Sequence, residues 1–379
     1  MRRAALALLG VLATGPAWGQ EPPAEAGLAD LPFLASEEPN RVYIDLAPEG
    51  SARGLRVMLD TGAAESVFSP RAAREMGVHV KKTKSSLYRR KTRLGPDLLF
   101  WVDTSSSDQG TLTGWEYGLL GGGFLEQYVV EIDFPARRVR FLDPKRYAVP
   151  ETAGADGEAV IPMQNVGKRP AVEVEVNGAR VLMLLDTGAP FPLILSGPVA
   201  EGAGVESREA PGLGTGTVLG PMAVRLGKAG RVALGPLVLE GVPLLVAPRG
   251  AYNLGVPGDS LVGFDLLAEF TVRLDYPRER MWLRHAPGAR HTFLGGDWAA
   301  YEAGGALLVP QGEAWHVLLL NEGSPAAQRG LRQGDQLSRE HSAPEIVEAL
   351  RAGAELRVTR EVDGVPTDVV LPAAGAPAP

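Results

Sequence analysis

The chain carries one short pattern twice, and this pattern constrains its fold more than any other feature. An apolar run ends in Asp-Thr-Gly-Ala at Asp60, and a second apolar run ends in the same four residues at Asp186. A carboxylate at the end of a hydrophobic strand costs free energy unless a site needs it there. The repetition therefore predicts one site assembled from two halves of the chain. The competing interpretation is that each Asp only caps its own turn.

Other landmarks recur in the same order, which indicates an internal duplication. Asp60 and its counterpart are 126 residues apart, and Gly121 is the first of three landmarks that recur 142 residues later. Several landmarks at a constant offset are stronger evidence of a repeat than a single tripeptide. We therefore predict duplicated lobes over 40–146 and 157–286, with a polar linker around 150–158 between them.

Composition and turn residues predict a mainly β fold. The 379 residues include 47 Gly and 31 Pro, and this content favours short strands joined by turns over a helical protein. The residue pattern predicts strands over 55–59, 171–176 and 181–185, and an Asn-Gly hairpin turn joins the last two. A short helix is predicted over 70–76, where Gly77 stops it.

Each half of the chain resembles a lobe of a retropepsin-type aspartic peptidase. The resemblance rests on Asp-Thr-Gly-Ala and, later in each half, on two apolar residues followed by Gly121 or Gly263. It covers about 40–286. It implies two acid-protease β-barrel lobes in a pseudo-twofold arrangement, with these two closing motifs in strands beside the aspartate loops.

The two aspartates are the predicted catalytic residues. Two carboxylates held about 3 Å apart do not both ionise, so they share one proton. Asp60 and Asp186 would then supply both roles that peptide hydrolysis needs. One carboxylate takes a proton from water, and the other carboxyl group hydrogen-bonds the scissile carbonyl. No cofactor is predicted for this chemistry.

The residues that follow each aspartate are predicted to support the pair. Gly62 and Gly188 allow the close backbone approach that brings two loops together. The resemblance implies that the hydroxyl groups of Thr61 and Thr187 reach across and lock the loops. These four residues therefore belong to the predicted site, although they do not take part in the chemistry.

Ala63 and Ala189 bear on the acidity of the predicted pair. A Ser or Thr at either position could donate a hydrogen bond to a carboxylate and lower its pKa, and Ala cannot. We therefore expect raised and coupled pKa values for the pair. The expected pH optimum is mildly acid or neutral rather than strongly acid.

A substrate-covering flap is predicted between each aspartate loop and its closing glycine. In the second half the candidate is the glycine-rich stretch 212–217, with Gly214 and Gly216 at its centre. Its glycines also resemble a phosphate-binding loop, but no Lys-Ser or Lys-Thr ending accompanies them. In the first half the corresponding region is 94–114, with Phe100 and Trp101 as an apolar contact.

The first nineteen residues have the layout of a secretory signal peptide. Two arginines precede an apolar run over 4–14, and small residues before Gln20 predict cleavage there. A short membrane anchor is the alternative, but the run is well below the roughly 20 residues that span a bilayer. We expect an exported protein, periplasmic or extracellular, with no membrane span after removal of 1–19. A flexible spacer is predicted over 20–39.

The last part of the chain resembles a bacterial PDZ domain over about 303–372. The resemblance rests on Gly-Ser-Pro-Ala at 323–326, Gly-Leu-Arg at 330–332 and Gly-Asp at 334–335. It implies a small α+β domain, although the strand and Asn-Gly turn that usually follow are almost missing here. PDZ domains bind C-terminal tails by strand addition. Contact with a peptide and an autoregulatory packing role both stay open for this domain.

Other features of the sequence argue against several functions. The formal net charge of −7 gives no support for nucleic-acid binding. The five His residues, His291 among them, have no metal-ligand spacing and the chain has no Cys. No metal site is therefore predicted, and each His is expected at the surface. Gly-Asp-Ser-Leu at 258–261 spells a serine esterase signature, but the Asp-x-x-His that this family needs is missing.

A basic run over 81–93 stands out in an otherwise acidic chain. One interpretation is a solvated hairpin, which is the usual role of a charged stretch. The other is a surface that recruits an acidic substrate or an anionic envelope surface.

The sequence as a whole predicts an exported aspartic endopeptidase that acts on a peptide or protein substrate. One alternative is a catalytically inactive protein of the cell envelope that keeps both lobes and binds peptides or serves as a scaffold. Another is that each lobe pairs with a lobe of a second chain. The distance between the carboxyl groups of Asp60 and Asp186 within one chain separates this last alternative from a single-chain site.

Overall fold

The computed structural model describes most of the chain, with its larger internal gaps in the first half. The described residues are 22–34, 40–47, 54–80, 86–92, 94, 97–102, 118–154, 156–217, 220–362 and 364–373. The predicted signal peptide at 1–19 lies outside them, as does most of the predicted flap region 94–114. Of the basic run, 81–85 and Arg93 also lie outside the described residues.

The first half forms short strands and two short helices. They are β1 (Gly27–Pro32), β2 (Tyr43–Leu46), β3 (Leu55–Leu59), β4 (Ser66–Phe68), α1 (Pro70–Glu75), β5 (Ser86–Lys91), β6 (Asp97–Val102), β7 (Gly118–Leu120), α2 (Gly122–Leu125), β8 (Val129–Asp133) and β9 (Arg138–Leu142). Helix α1 begins where it is predicted, because the Ser69 hydroxyl accepts a hydrogen bond from Ala72 N and Pro70 suits the first helical position. It ends one residue earlier than predicted.

The second half has longer strands. They and their helices are β10 (Glu158–Val166), β11 (Arg169–Val176), β12 (Ala179–Asp186), β13 (Leu193–Ser196), α3 (Gly197–Gly202), β14 (Ser207–Thr217), β15 (Gly220–Leu234), β16 (Leu237–Ala247), β17 (Leu261–Gly263), α4 (Phe264–Leu267), β18 (Phe270–Asp275) and β19 (Arg280–His285). Asn177 and Gly178 have φ angles of 49° and 90° and form the predicted turn between β11 and β12. These two strands each begin two residues earlier than predicted.

The C-terminal part, which we call the C-terminal module, covers 292–371. Its elements are β20 (Thr292–Phe293), β21 (Gly296–Asp297), α5 (Trp298–Gly304), β22 (Ala306–Gln311), β23 (Ala314–Leu320), α6 (Pro325–Gln328), β24 (Gln336–Ser338), α7 (Ala343–Ala352), β25 (Leu356–Val362) and β26 (Val365–Leu371). Strands β22 to β26 form one antiparallel sheet in sequence order. The likeness of this module to a PDZ domain stays a prediction.

The chain is mainly β, as the sequence predicts. A 13-stranded sheet has the order β1-β9-β8-β18-β19-β10-β11-β12-β17-β13-β16-β15-β14, and a six-stranded sheet has the order β2-β3-β7-β4-β6-β5. The larger sheet joins the two halves, because β8 and β18 pair in antiparallel fashion. The predicted domain boundaries stay predictions.

Two short strands position the candidate site. Strand β7 lies between β3, to which it is parallel, and β4, to which it is antiparallel. Strand β17 lies in the same way between β12 and β13. Each aspartate loop leaves the sheet at the end of β3 or β12, so the short strand holds the base of the loop from one side.

A buried ion pair lies in the strand contact that joins the halves. Arg273 on β18 is directly opposite Glu131 on β8, and their side chains are hydrogen-bonded. The two side chains are 2% and 1% exposed. Arg140 Nη1 also contacts Glu131 Oε1 at 3.0 Å, and the Arg273 guanidinium lies 4.1 Å from the centroid of the Trp282 ring. Removal of either partner would therefore leave a charge buried without its main partner.

No helix within the described residues is both long enough and apolar enough to cross a membrane.

Candidate active site

Asp60 and Asp186 meet at the centre of the candidate site. Asp60 follows the last residue of β3, and Asp186 is the last residue of β12. Within one chain the two carboxyl groups lie close enough that the charge of Asp186 raises the pKa of Asp60. Asp60 is only 9% exposed, so water reaches the pair from few directions. The structure therefore brings the two predicted catalytic residues together.

The threonines that follow the aspartates connect the two loops reciprocally. Thr61 Oγ1 donates to the carbonyl of Leu185 at 2.7 Å, and Thr187 Oγ1 donates to the carbonyl of Leu59 at 2.6 Å. Each hydroxyl also accepts a hydrogen bond from the backbone N–H of the other threonine, at 3.0 and 3.1 Å. Both threonines are buried. The four hydrogen bonds fix the two loops relative to each other, since water cannot substitute for them.

The glycines of the two loops leave the space that the opposite carboxyl group occupies. A Cβ atom on Gly62 would lie 2.3 Å from Asp186 Cγ, and one on Gly188 would lie 2.8 Å from Asp60 Cγ. Real Cβ atoms do not make contacts this short, so any side chain here would push the loops apart.

The two closing glycines pack directly on the backbone of the aspartate loops. A Cβ atom on Gly121 would lie 2.4 Å from the carbonyl oxygen of Glu65, and one on Gly263 would lie 1.9 Å from that of Phe191. The backbone N–H of Gly122 donates to the carbonyl of Ala63 at 2.8 Å. In the same way the N–H of Phe264 donates to the carbonyl of Ala189 at 2.7 Å. These contacts hold each loop against the end of its closing strand, β7 or β17.

The aspartate pair retains a proton near neutral pH. Burial raises the pKa of Asp60 to about 8, and the negative charge of Asp186 adds to this rise. Burial also raises the pKa of Asp186, although the Gly188 N–H, which donates to Asp186 Oδ1 at 2.8 Å, opposes it. Two carboxyl groups in contact share this proton, so the titration belongs to the pair. The pH optimum itself stays a prediction.

The pair makes the free energy of unfolding depend on pH. The folded state holds a proton on Asp60 up to about pH 8, whereas an unfolded Asp loses it near pH 3.8. The stabilisation is therefore fully present below about pH 4 and is lost as the pH rises through about 8. Between pH 4 and pH 8 the free energy of unfolding should fall more in the wild type than in Asp60→Asn, as measured by denaturation of both proteins. Equal falls would mean that the pair does not hold its proton.

Arg41 is a charged neighbour of the pair that the sequence interpretation does not identify. Burial dominates the pKa of Asp60 and of Asp186, and the Arg41 guanidinium opposes the rise in both. The adjacent Asn40 donates from Nδ2 to the carbonyl of Pro190 at 3.4 Å. The segment before β2 thus reaches from the first half to the second aspartate loop. The position of Arg41 between β1 and β2 gives no sequence signal for this contact.

A second contact joins the halves near the first aspartate loop. Lys168, in the turn between β10 and β11, places Nζ 2.6 Å from Glu65 Oε1. A Cβ atom on Gly122 would lie 1.7 Å from the backbone carbonyl oxygen of Lys168. The Lys168 and Glu65 side chains are 41% and 35% exposed, so the contribution of the ion pair to stability is at most about 1 kcal/mol. The close backbone packing at Gly122 is the more demanding part of this contact.

The predicted flap residues of the second half lie in a long hairpin. Gly214 pairs with Ala223 and Gly216 pairs with Pro221, between β14 and β15. The tip at 218–219 lies outside the described residues. In the first half β5 and β6 form a hairpin in which Phe100 is fully buried. Phe100 therefore contributes to the core, whereas Trp101 beside it is 40% exposed.

Asp265, two residues after the second closing glycine, is buried beside the connection to the C-terminal module. Burial raises its pKa to about 7, and hydrogen bonds from the Thr292 side chain and from the backbone N–H groups of Leu294 and Gly295 oppose this rise. Leu294 and Gly295 have φ angles of 53° and 75°. Nothing in the sequence around Asp265 indicates a contact with residues 292–295, so its role in holding this connection is missed.

Among the described residues, no group of three or more His, Cys, Asp or Glu side chains could hold a metal ion.

His291, predicted at the surface, is instead half-buried. Its Nδ1 lies 2.7 Å from Glu269 Oε1, and its Nε2 lies 2.7 Å from the carbonyl oxygen of Glu240.

A family model of aspartyl proteases matches residues 172–266. The match includes the second aspartate loop and Gly263, and it leaves out the first loop. No curated protein matches the chain significantly. The family match supports a peptidase-like function for the chain.

Three solved structures show weaker likenesses. A retropepsin-like aspartic protease from Rickettsia conorii is 21% identical and covers 34% of this chain and 91% of its own, with a TM-score of 0.26. Basic 7S globulin from soybean is 12% identical and covers 70% of this chain and 95% of its own, with a TM-score of 0.38. The EIAV protease complexed with the inhibitor HBY-793 is 25% identical and covers 27% of this chain and 89% of its own, with a TM-score of 0.22. At these TM-scores the likenesses carry no conclusion about function.

Proposed function

We propose that this chain is an aspartic endopeptidase that hydrolyses peptide bonds with Asp60 and Asp186. The observation that carries the proposal is that two buried carboxyl groups are in contact on loops that Thr61 and Thr187 fix reciprocally. A carboxyl pair that shares one proton offers a base and an acid at the same place. The family match over 172–266 supports the same class of activity.

In the proposed reaction one carboxyl group is ionised and the other is protonated. The ionised group accepts a proton from a water molecule as the water oxygen attacks the scissile carbonyl carbon. The protonated group donates a hydrogen bond to the carbonyl oxygen. When the C–N bond breaks, a proton passes to the leaving amine, and the pair returns to its singly protonated state. The raised pKa of Asp60 keeps this one proton available near neutral pH.

The substrate is proposed to be a peptide or protein segment that lies between the two halves of the chain. The hairpin that contains Gly214 and Gly216 would cover it, and closure of such an element excludes water that does not react. Glycines suit this position because they let a backbone approach a substrate closely.

Digestion of a peptide library with the purified protein tests the proposal. Cleavage is expected inside the peptides, with no loss of activity when a metal chelator is added. Added hydroxylamine should capture no hydroxamate product, because water attacks directly and no acyl-enzyme forms. Asp60→Asn protein is the control for a contaminating protease.

Two outcomes would count against the proposal. Cleavage that continues unchanged in the Asp60→Asn control would assign the activity to another site or another protein. Binding of peptides without any cleavage between pH 4 and pH 8, the range spanned by the shifted pKa of Asp60, would instead favour a peptide-binding or scaffold protein.

A further inference from the structure

The C-terminal module is attached to both strands of the β14–β15 hairpin. Arg208 on β14 donates to the hydroxyl oxygen of Tyr301, and its Nη2 lies 2.6 Å from Asn321 Oδ1. Lys228 on β15 forms an ion pair with Glu302. We call these contacts the hairpin anchor; its residues are Arg208, Lys228, Tyr301, Glu302 and Asn321.

The hairpin anchor lies at the base of the hairpin, away from its tip. In the strand register Ser207 is opposite Gly227, so Arg208 and Lys228 lie on either side of this pair. Gly214 and Gly216 lie farther along β14, beyond an irregularity in the register that begins at Glu209. A contact that fixes the base of a two-stranded ribbon limits the positions that its tip can reach.

A buried series of aromatic rings connects the hairpin anchor with the second aspartate loop. Phe191 follows this loop, and its ring lies 5.8 Å from that of Phe293 in the C-terminal module. Phe293 lies 5.7 Å from Trp298, and Trp298 lies 4.8 Å from Tyr301. All four rings are at most 5% exposed. The module therefore contacts both the aspartate loop and the hairpin through one packed unit.

We propose that Arg208 and Lys228 are positioning residues, which hold the β14–β15 hairpin over the substrate through the C-terminal module. This inference rests on the proposed peptidase function and names a device that regulates the same site. The two residues do not touch the reacting atoms. They decide how often the hairpin is in the closed position that the substrate needs.

The alternative is that the hairpin anchor only adds to the overall stability of the chain. The Lys228 and Glu302 side chains are 48% and 43% exposed, and exposed pairs of this kind contribute little to global unfolding. The Arg208 side chain also lies at the surface, with two neutral acceptors rather than a carboxylate among the contacts described. Loss of these contacts should therefore appear as local opening of the hairpin rather than as global unfolding.

The test compares the full-length double variant Arg208→Met/Lys228→Met with Arg225→Met, a matched control on the same hairpin. Met keeps most of the side-chain stem and removes the charged group. Amide hydrogen exchange over 209–217 is expected to be about tenfold faster in the double variant and unchanged in the control. For peptide cleavage, KM should rise about five- to tenfold with kcat within about twofold, since the chemistry is unaltered.

Tyr301→Phe keeps the buried ring and removes only its hydroxyl group, so it should give a smaller change of the same kind. Exchange over 209–217 that is unchanged in the double variant would overturn the proposal, whatever the activity. A general increase in exchange with a fall in melting temperature beyond about 4 °C would also overturn it, because the contacts would then be structural. If the wild type cleaves no peptide, the proposed function fails, and the exchange measurement still decides whether the anchor holds the hairpin.

Discussion

Replacement of Asp60 or Asp186 by Asn is expected to lower kcat/KM for peptide cleavage by at least about a thousandfold. Asn has the shape of Asp, but it neither accepts the proton of the attacking water nor supplies the shared proton. The two carboxyl groups act as one unit, because they are in contact and titrate together. The double variant should therefore be little worse than either single variant. Steady-state kinetics on one purified peptide substrate measures all three losses.

The matched control for these variants is Asp133→Asn at the end of β8. Asp133 Oδ1 accepts a hydrogen bond from the N–H of Ala136 at 2.9 Å, and an Asn side chain can accept the same bond. This variant should keep full activity. The Asp60→Asn chain should unfold at no lower denaturant concentration than the wild type at pH 8, because the substitution removes a buried acid whose pKa is raised. Activity above a tenth of the wild-type value in either Asp variant would remove the pair from the mechanism.

The second large effect is expected from Thr61→Val, which removes one buried hydroxyl group from between the loops. Val has nearly the same shape, so the change leaves the Leu185 carbonyl and the Thr187 N–H without the partner that each has in the wild type. Each such group costs about 1–3 kcal/mol when buried. The free energy of unfolding should fall by about 2–6 kcal/mol, as measured by chemical denaturation.

Thr61→Ser keeps the hydroxyl group and is the control, with an expected loss well below that of the Val variant. Thr187→Val should match Thr61→Val, since Thr187 makes the same pair of contacts in the opposite direction. The double variant Thr61→Val/Thr187→Val should lose less free energy of unfolding than the sum of the two single variants. The reason is that the four hydrogen bonds belong to one network. A loss below about 0.5 kcal/mol for Thr61→Val would contradict a role for these bonds in fixing the loops.

The parts of the site that the sequence predicts are those that repeat. Asp-Thr-Gly-Ala occurs twice, and the structure places Thr61 beside Thr187 and Gly62 against Asp186. Gly121 could be selected because it recurs at a fixed offset, and in the structure the carbonyl oxygen of Glu65 leaves no room for a side chain there. A repeat gives each residue of the motif a second observation within one sequence, so the residues that recur are the ones the sequence can predict.

The parts that the sequence does not predict depend on contacts between distant segments. Arg41, Lys168 and Asp265 each act on a neighbour that lies far away along the chain. A charged residue ahead of a strand, in a turn or at a helix end is ordinarily a solvated residue, and local pattern does not separate these cases. Helices α2 and α4 were missed for another reason, because four residues are too few to show helical periodicity.

The paired charges between the halves make the two halves unequal. Glu131 and Arg273 lie opposite each other at the centre of the paired stretch of β8 and β18. If a second copy of β18 took the place of β8 in this register, Arg273 would therefore lie opposite Arg273. That position is 2% exposed, and a buried cation that loses its facing carboxylate is strongly destabilising. In such an arrangement the first half keeps the Arg140 cation beside Glu131, whereas the second half keeps the Trp282 ring beside Arg273. The β8–β18 contact thus favours pairing of the two different halves over pairing of two copies of the second half.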